Sequence, residues 1–154
     1  MSTIVVRRRV TWLLLLAVTA GIVLATLWIS GKSYSKVDPI PFHDVSDLAH
    51  RLEHNATSTR MLTIVLMPIV ANVLLFVPWG FLLFLALYKA KRPTIQTYVL
   101  TILLGLSFTS IIEACQYFLP SRVADINDII WNTAGAALGA ILGHLRARVR
   151  FEFE

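Results

Sequence analysis

The chain has 154 residues, 56% of them hydrophobic and only 15% charged, with a mean hydropathy of +0.70. A soluble domain carries about 25% charged residues, so this composition excludes an ordinary water-soluble globule and points to a membrane protein built as one domain, residues 1–154. The net charge of +5 does not argue for nucleic acid, because the basic residues sit in short clusters between apolar runs and cover no single polar face.

Taken in chain order, the first apolar run is Val10 to Ile29, twenty residues without a charge. At about 1.5 Å per residue it covers roughly 30 Å, one hydrocarbon core. It is longer than the apolar part of a cleaved signal peptide, and Trp28 stands where an interfacial anchor belongs. The second run, 62–88, contains Pro68, Asn72 and Pro78 and is long enough to tilt or to kink at Pro78. The third covers about 95–119 and the fourth about 124–144. The fold class expected is therefore all-α, an integral membrane four-helix bundle. A single cysteine, Cys115, rules out an intramolecular disulfide and, lying in an apolar run, is expected to pack inside.

Arg7, Arg8 and Arg9, then Lys89, Lys91 and Arg92, then Arg146, Arg148 and Arg150 fall on one side of a protein with four crossings. On the other side, the basic residues of the long loop, Lys32, Lys36, Arg51 and Arg60, are balanced by Asp38, Asp44, Asp47 and Glu53. The positive-inside rule puts both termini in the cytoplasm. In that outer loop, residues 44–55 carry Val45, Leu48 and Leu52 at i, i+3, i+7, which predicts a short amphipathic helix on the outer surface. His50 and His54 share its opposite face and read as solvated polar residues, a metal there needing a third ligand from elsewhere.

The remaining polar residues are concentrated. Glu113 and Gln116 lie near the outer end of the third run, at i, i+3. Asp125, Asp128 and Asn132 open the fourth at i, i+3, i+7, and Arg122 sits in the turn between. Asn72 lies about ten residues inward from the outer start of the second. Three pieces of chain thus bring polar groups to the outer half of the membrane. Gly135, Gly139 and Gly143 continue the stripe of the fourth run as GxxxGxxxG, a pattern that admits another helix at close range, so the stripe faces protein. An ionisable group inside a span is by default a candidate functional site. Structural readings stand beside this one: Asp125 as a helix N-cap, Asp128 favouring the helix dipole, and Asn72 and Asn132 joining helices. The inner half shows no ionisable residue that would continue a transport route. Three carboxylates against one arginine leave room for a cationic group or a divalent cation, although no cofactor is expected.

The segments Asn72-Val-Leu-Leu-Phe-Val-Pro-Trp-Gly80, Glu113-Ala-Cys-Gln116, Arg122-Val-Ala-Asp125-Ile-Asn-Asp128 and Asn132-Thr-Ala-Gly135 resemble, in order and spacing, the VanZ-like family of small bacterial membrane proteins. The resemblance covers 72–143, and Trp79 departs from it by standing where a smaller apolar residue is expected. It implies a shared polar set of Asn72, Glu113, Gln116, Arg122, Asp125, Asp128 and Asn132. Pro78, Gly80 and Gly135 are its structural companions. It also implies a process, since the founding member is associated with resistance to teicoplanin, a lipoglycopeptide that targets cell-wall precursors at the outer membrane face.

The expected function is thus that of an envelope protein, with enzymatic activity left open. Its outward-facing polar pocket would engage a lipid head group or an amphiphilic antibiotic; partners would be membrane lipid and a second copy of the chain. The alternative is an intramembrane enzyme acting on a lipid-linked envelope precursor, with Glu113 or Asp128 as general acid or base and Arg122 holding a phosphate. No GxSxG, HExxH or phosphatase-like histidine pattern supports that alternative.

Overall fold

The computed structural model describes residues 8–28, 37–38, 40–53, 58–88, 93–119 and 124–151. Among these, five helices account for nearly everything: α1 (Arg8–Trp28), α2 (His43–Glu53), α3 (Thr59–Leu87), α4 (Thr94–Tyr117) and α5 (Ile126–Phe151). Helix is what such a composition dictates, because a chain in hydrocarbon must satisfy every backbone N–H and C=O within its own segment. The α1, α3 and α4 helices are long and apolar enough to cross a membrane. The exception to helix is a two-residue parallel bridge, β1 (Val37–Asp38) on β2 (Ala124–Asp125), which ties the loop after α1 to the start of α5.

The predicted runs differ from the helices mainly at their ends. Ser58 caps α3, its Oγ accepting the Met61 N–H at 3.3 Å, so the helix begins earlier than the apolar run. The α3 helix passes unbroken through Pro68 and Pro78, both of which sit on its exposed face. The α5 helix continues past His144 to Phe151, beyond the apolar part that marked it in the sequence.

The long helices alternate in direction. On α5, Gly135 meets Val73, Gly139 meets Val77 and Phe81, and Gly143 meets Phe81 and Phe84, so α3 and α5 run parallel. Gly105 of α4 meets Ala136 and Thr109 meets Asn132, so α4 runs against α5. The α1 helix packs on α3 at Thr19–Trp79 and reaches α4 at Thr26–Gln116. Trp28, Thr59, Tyr117 and Ile126 therefore lie at one end of the protein, and Arg8, Leu87 and Thr94 at the other.

The closest approach is between α3 and α5. A Cβ on Gly139 would overlap the Val77 carbonyl oxygen and stand 2.6 Å from the Phe81 nitrogen. A Cβ on Gly80 would stand 2.6 Å from the Ala136 Cα. Glycine at these positions lets backbone touch backbone and maximises dispersion contact, the main attraction left between helices in lipid. Beside this seam lies an aromatic core: Trp79 stacks on Phe108 at 5.3 Å, and Phe76 packs against both. Trp79 is buried and donates its Nε1–H to Thr19 Oγ1 at 3.0 Å, joining α1 to α3.

The exterior is apolar. Leu13 and Leu16 of α1, Ile64 and Met67 of α3, Leu103 and Ile111 of α4 and Leu145 of α5 are all exposed. A surface of this kind belongs in contact with lipid or protein. Cys115 is on it: it is exposed, which corrects the expected interior packing, because the inward face of α4 at that level is taken by Ile112, Glu113 and Gln116.

Two glycine substitutions separate the seam from the surface. Gly139→Val should lower stability by about 1–3 kcal/mol, the usual cost of overpacking, or prevent assembly. Gly21→Ala, where an added Cβ meets nothing within 4 Å, should be neutral or gain up to about 1 kcal/mol from helix propensity. Thermal unfolding in detergent followed by circular dichroism measures both.

Candidate functional site

Asn72 comes from the middle of α3, Glu113 and Gln116 from the last turns of α4, Asp125 from β2 immediately before α5, and Asp128 and Asn132 from the first turns of α5. All lie toward the Trp28 end. Arg122 and the rest of the α4–α5 turn, Pro120 to Val123, fall outside the described residues.

The described members form two groups that share α5. On one flank, Asn72 Nδ2 donates to Asp128 Oδ1, bridging α3 and α5. On the other, Glu113 Oε2 accepts the Asp125 backbone N–H at 2.9 Å, and Asn132 Nδ2 donates to Thr109 Oγ1 at 2.9 Å. The shared stripe on α5 is thus divided: Asp128 and Asn132 are one turn apart yet reach opposite neighbours. Gln116 turns to α1, its Nε2 donating to the Thr26 carbonyl oxygen at 3.0 Å. Glu113 and Gln116 are each 5% exposed and Asn132 2%. Interhelical hydrogen bonds of this type contribute about 0.6 kcal/mol each, so their main consequence is register.

Asp125 links Glu113 to the first turn of α5. Its Oδ1 accepts the Asn127 N–H at 2.7 Å, the N-cap predicted for it, while its own N–H is held by Glu113. The Glu113 carboxylate therefore fixes the point at which α5 begins.

Asn127 was not singled out from the sequence. It is 9% exposed, and its Oδ1 accepts the Phe42 N–H at 2.7 Å, clamping the loop before α2 onto α5. Phe42 has a left-handed backbone, φ 59°, uncommon for a bulky side chain. Its ring meets that of Trp131 at 5.8 Å and 76°. No spacing rule reveals these contacts, because they join residues more than eighty positions apart. Of the predicted stripe on α2, Leu48 is buried while Val45 and Leu52 are exposed.

Between α2, α3 and α5 lies a small open cleft of about 40 Å³, lined by Phe42, Val45, Pro68, Ile69, Asp125, Asn127, Asp128 and Trp131. Glu113, Gln116 and Asn132 do not line it; they sit on the α1–α4 side. Buried acceptors on that side, Gln116 Oε1 and Asn132 Oδ1, have no partner among the described residues. No group of three or more His, Cys, Asp and Glu side chains is placed to hold a metal ion among the described residues.

A second polar group lies toward the Arg8 end, where no ionisable residue was expected. His144 Nδ1 and Tyr98 Oη are 2.8 Å apart, and the His144 ring lies 5.9 Å from that of Phe84. His144 reads as the end of an apolar run in the sequence, but the helix continues, so its half-buried side chain packs against α3 and α4.

Apolar exteriors on every long helix, with amide and carboxylate bridges between helices inside, define an α-helical protein suited to a membrane. The chain belongs to the VanZ/LLP1 family, whose profile matches residues 10–147. The match takes in α1 and the loop bearing α2, which carry no signature legible by eye. No curated protein and no solved structure matches the chain.

Substitutions at Glu113 test its part in starting α5. Glu113→Gln retains an oxygen acceptor for the Asp125 N–H and should fold at wild-type yield. Glu113→Leu removes that acceptor from a buried position and should cost about 1–3 kcal/mol, read as a lower midpoint of thermal unfolding.

Proposed function

We propose that the four long helices form one transmembrane domain, with α5 as the fourth crossing, both termini in the cytoplasm and the polar groups in the outer half. In this reading α2 rests on the outer surface of a bacterial cytoplasmic membrane, Leu48 turned to the protein and Leu52 to the interface. The basic clusters around the Arg8 end support the orientation. The low hydropathy of α5 reflects Asn127, Asp128 and Asn132 at its start and the arginines near its end, while its glycines face α3.

The function that fits is recognition of a polar head group at the outer leaflet, on a membrane lipid or an amphiphilic antibiotic of the teicoplanin type, linking the protein to glycopeptide resistance. The observation that carries it is the cleft at the Trp28 end, where Asp125, Asn127 and Asp128 stand beside the apolar walls of Pro68, Ile69 and Trp131. A head group needs polar contacts and its acyl chains need an apolar flank; both are present there. Family membership supports the envelope setting.

Expression in a teicoplanin-susceptible host tests the reading. The wild-type chain should raise the inhibitory concentration, and Asp125→Asn and Asp128→Asn, which change carboxylates lining the cleft, should each return it to the level of empty vector at equal protein abundance. Full resistance in both variants would count against the site. Orientation is tested separately in a Cys115→Ser background. A cysteine at Ser46 should react with a membrane-impermeant maleimide on intact cells, and one at Arg146 only after permeabilisation.

A further inference from the structure

We infer that the Arg8 end of the protein is a cationic collar that holds anionic phospholipid, with the guanidinium groups of Arg8, Arg9 and Arg146 against lipid phosphate. The collar is separate from the cleft, and the inference holds whichever leaflet that end faces.

Charge is divided along the molecule. Every described acid, from Asp38 to Asp128, belongs to the Trp28 end. In the sequence no Asp or Glu stands before Asp38, between Glu53 and Glu113, or between Asp128 and Glu152. At the opposite end Arg8 and Arg9 open α1 and Arg146 stands near the end of α5, all three exposed. The described carboxylates lie at the far end of membrane-length helices, so none is placed to pair with these arginines.

The helix ends add to the imbalance. The first turn of a helix carries positive partial charge and favours acids. The first turn of α1 has no acid and instead carries Arg8 and Arg9. The α4 helix also begins at this end, with Pro93 at its cap, no capping side chain and no acid in its first turn. At the Trp28 end, by contrast, Ser58 caps α3 and Asp125 caps α5. Positive side chains and positive helix ends are thus gathered where no described group of the protein offsets them, and the balancing charge comes from outside.

What makes that anion a lipid is the surface beside the arginines. Leu13 lies one turn from Arg9 and Leu142 one turn from Arg146, on the same helix faces, and both leucines are exposed. Val10 and Leu145 extend these apolar strips. Trp12, 38% exposed, stands one turn beyond Arg8, at the depth an interfacial ring takes. A guanidinium at the edge of an apolar face grips phosphate with paired donors while acyl chains lie along the leucines. Phosphatidylcholine carries the same phosphate but cancels it with its own cation, so the collar favours lipids with net negative charge. A soluble polyanion would answer the arginines and leave the apolar strips in water.

The test uses the full chain carrying Trp28→Phe, so that Trp12 is the exposed tryptophan of α1, in phosphatidylcholine nanodiscs. Brominated phosphatidylglycerol and brominated phosphatidylcholine are added in turn as quenchers of Trp12. The glycerol lipid should quench at a concentration at least about fivefold lower, the worth of one arginine near an anionic surface, and high salt should narrow the gap. Arg8→Gln and Arg9→Gln together should bring the two lipids to parity. Arg60→Gln, the same charge change at the Trp28 end of α3, should keep the preference. For α5, Arg146→Gln should reduce the rise in unfolding midpoint that dihexanoyl phosphatidylglycerol gives the chain in detergent. Equal quenching by the two lipids, or a preference that survives Arg8→Gln and Arg9→Gln, overturns the inference. So does tighter binding of a short single-stranded oligonucleotide than of phosphatidylglycerol, which would give the surface a soluble partner. The lipid comparison leaves the arginines intact, so a variant that fails to fold does not decide it, and a bilayer with identical leaflets removes any effect of the arginines on insertion. Failure here leaves the reading of the cleft standing, and failure of the resistance assay leaves the collar standing.

Discussion

Backbone contact between α3 and α5 is the constraint from which the rest follows. Gly80 on one helix and Gly135 and Gly139 on the other remove the side chains that would hold the two apart. In lipid there is little hydrophobic gain from joining two apolar helices, so close packing has to supply the attraction. Once α5 is seated in that seam, the rotation of its first turns is set. Asp128 faces Asn72, Asn132 faces Thr109, and Asp125 starts the helix within reach of Glu113. The polar groups are arranged by an apolar contact some distance below them.

Each polar bridge then meets the cost of removing its groups from water. An amide that donates to a carboxylate or hydroxyl across helices is less expensive than one left alone, and it selects a single register among the sliding positions that a smooth apolar surface permits. The arrangement is asymmetric along the molecule. Near the Arg8 end the contacts are aromatic, with Phe84, Tyr98 and His144 packed together. Near the Trp28 end they are carboxylate and amide, and there the interior opens into a cleft. The elements around that cleft differ in how firmly they are held. The α3–α5 wall is backbone against backbone. The α2 wall rests on Leu48, the Phe42 clamp and a two-residue bridge. A wall with few buried contacts is the part of a protein that opens at low free-energy cost.

Much of this was legible in the chain itself. Apolar runs of twenty residues and more marked α1, α3 and α4, since hydrocarbon thickness leaves little choice of length. The glycine spacing on α5 identified the packed face, and the spacing of Asp125 relative to the run that follows identified its cap. The crowding of Asn72, Glu113, Gln116, Asp125, Asp128 and Asn132 toward one end followed from counting residues along helices of alternating direction. These inferences depend on local geometry, 1.5 Å per residue and a repeat of 3.6, which every helix obeys.

What the sequence by itself determined, then, is an all-helical chain with long apolar helices, a glycine-lined face and polar residues at a common depth. Only the tertiary structure decided which partners those residues take: that Glu113 holds a backbone N–H, that Gln116 turns away to α1, that Cys115 faces outward, and that Asn127 and Phe42 close one side of the cleft. The reason is rotational. A helix repeat gives the angle between residues of one helix but not the angle at which that helix meets its neighbours, and a few tens of degrees at α5 choose between α3 and α4 for every side chain on it.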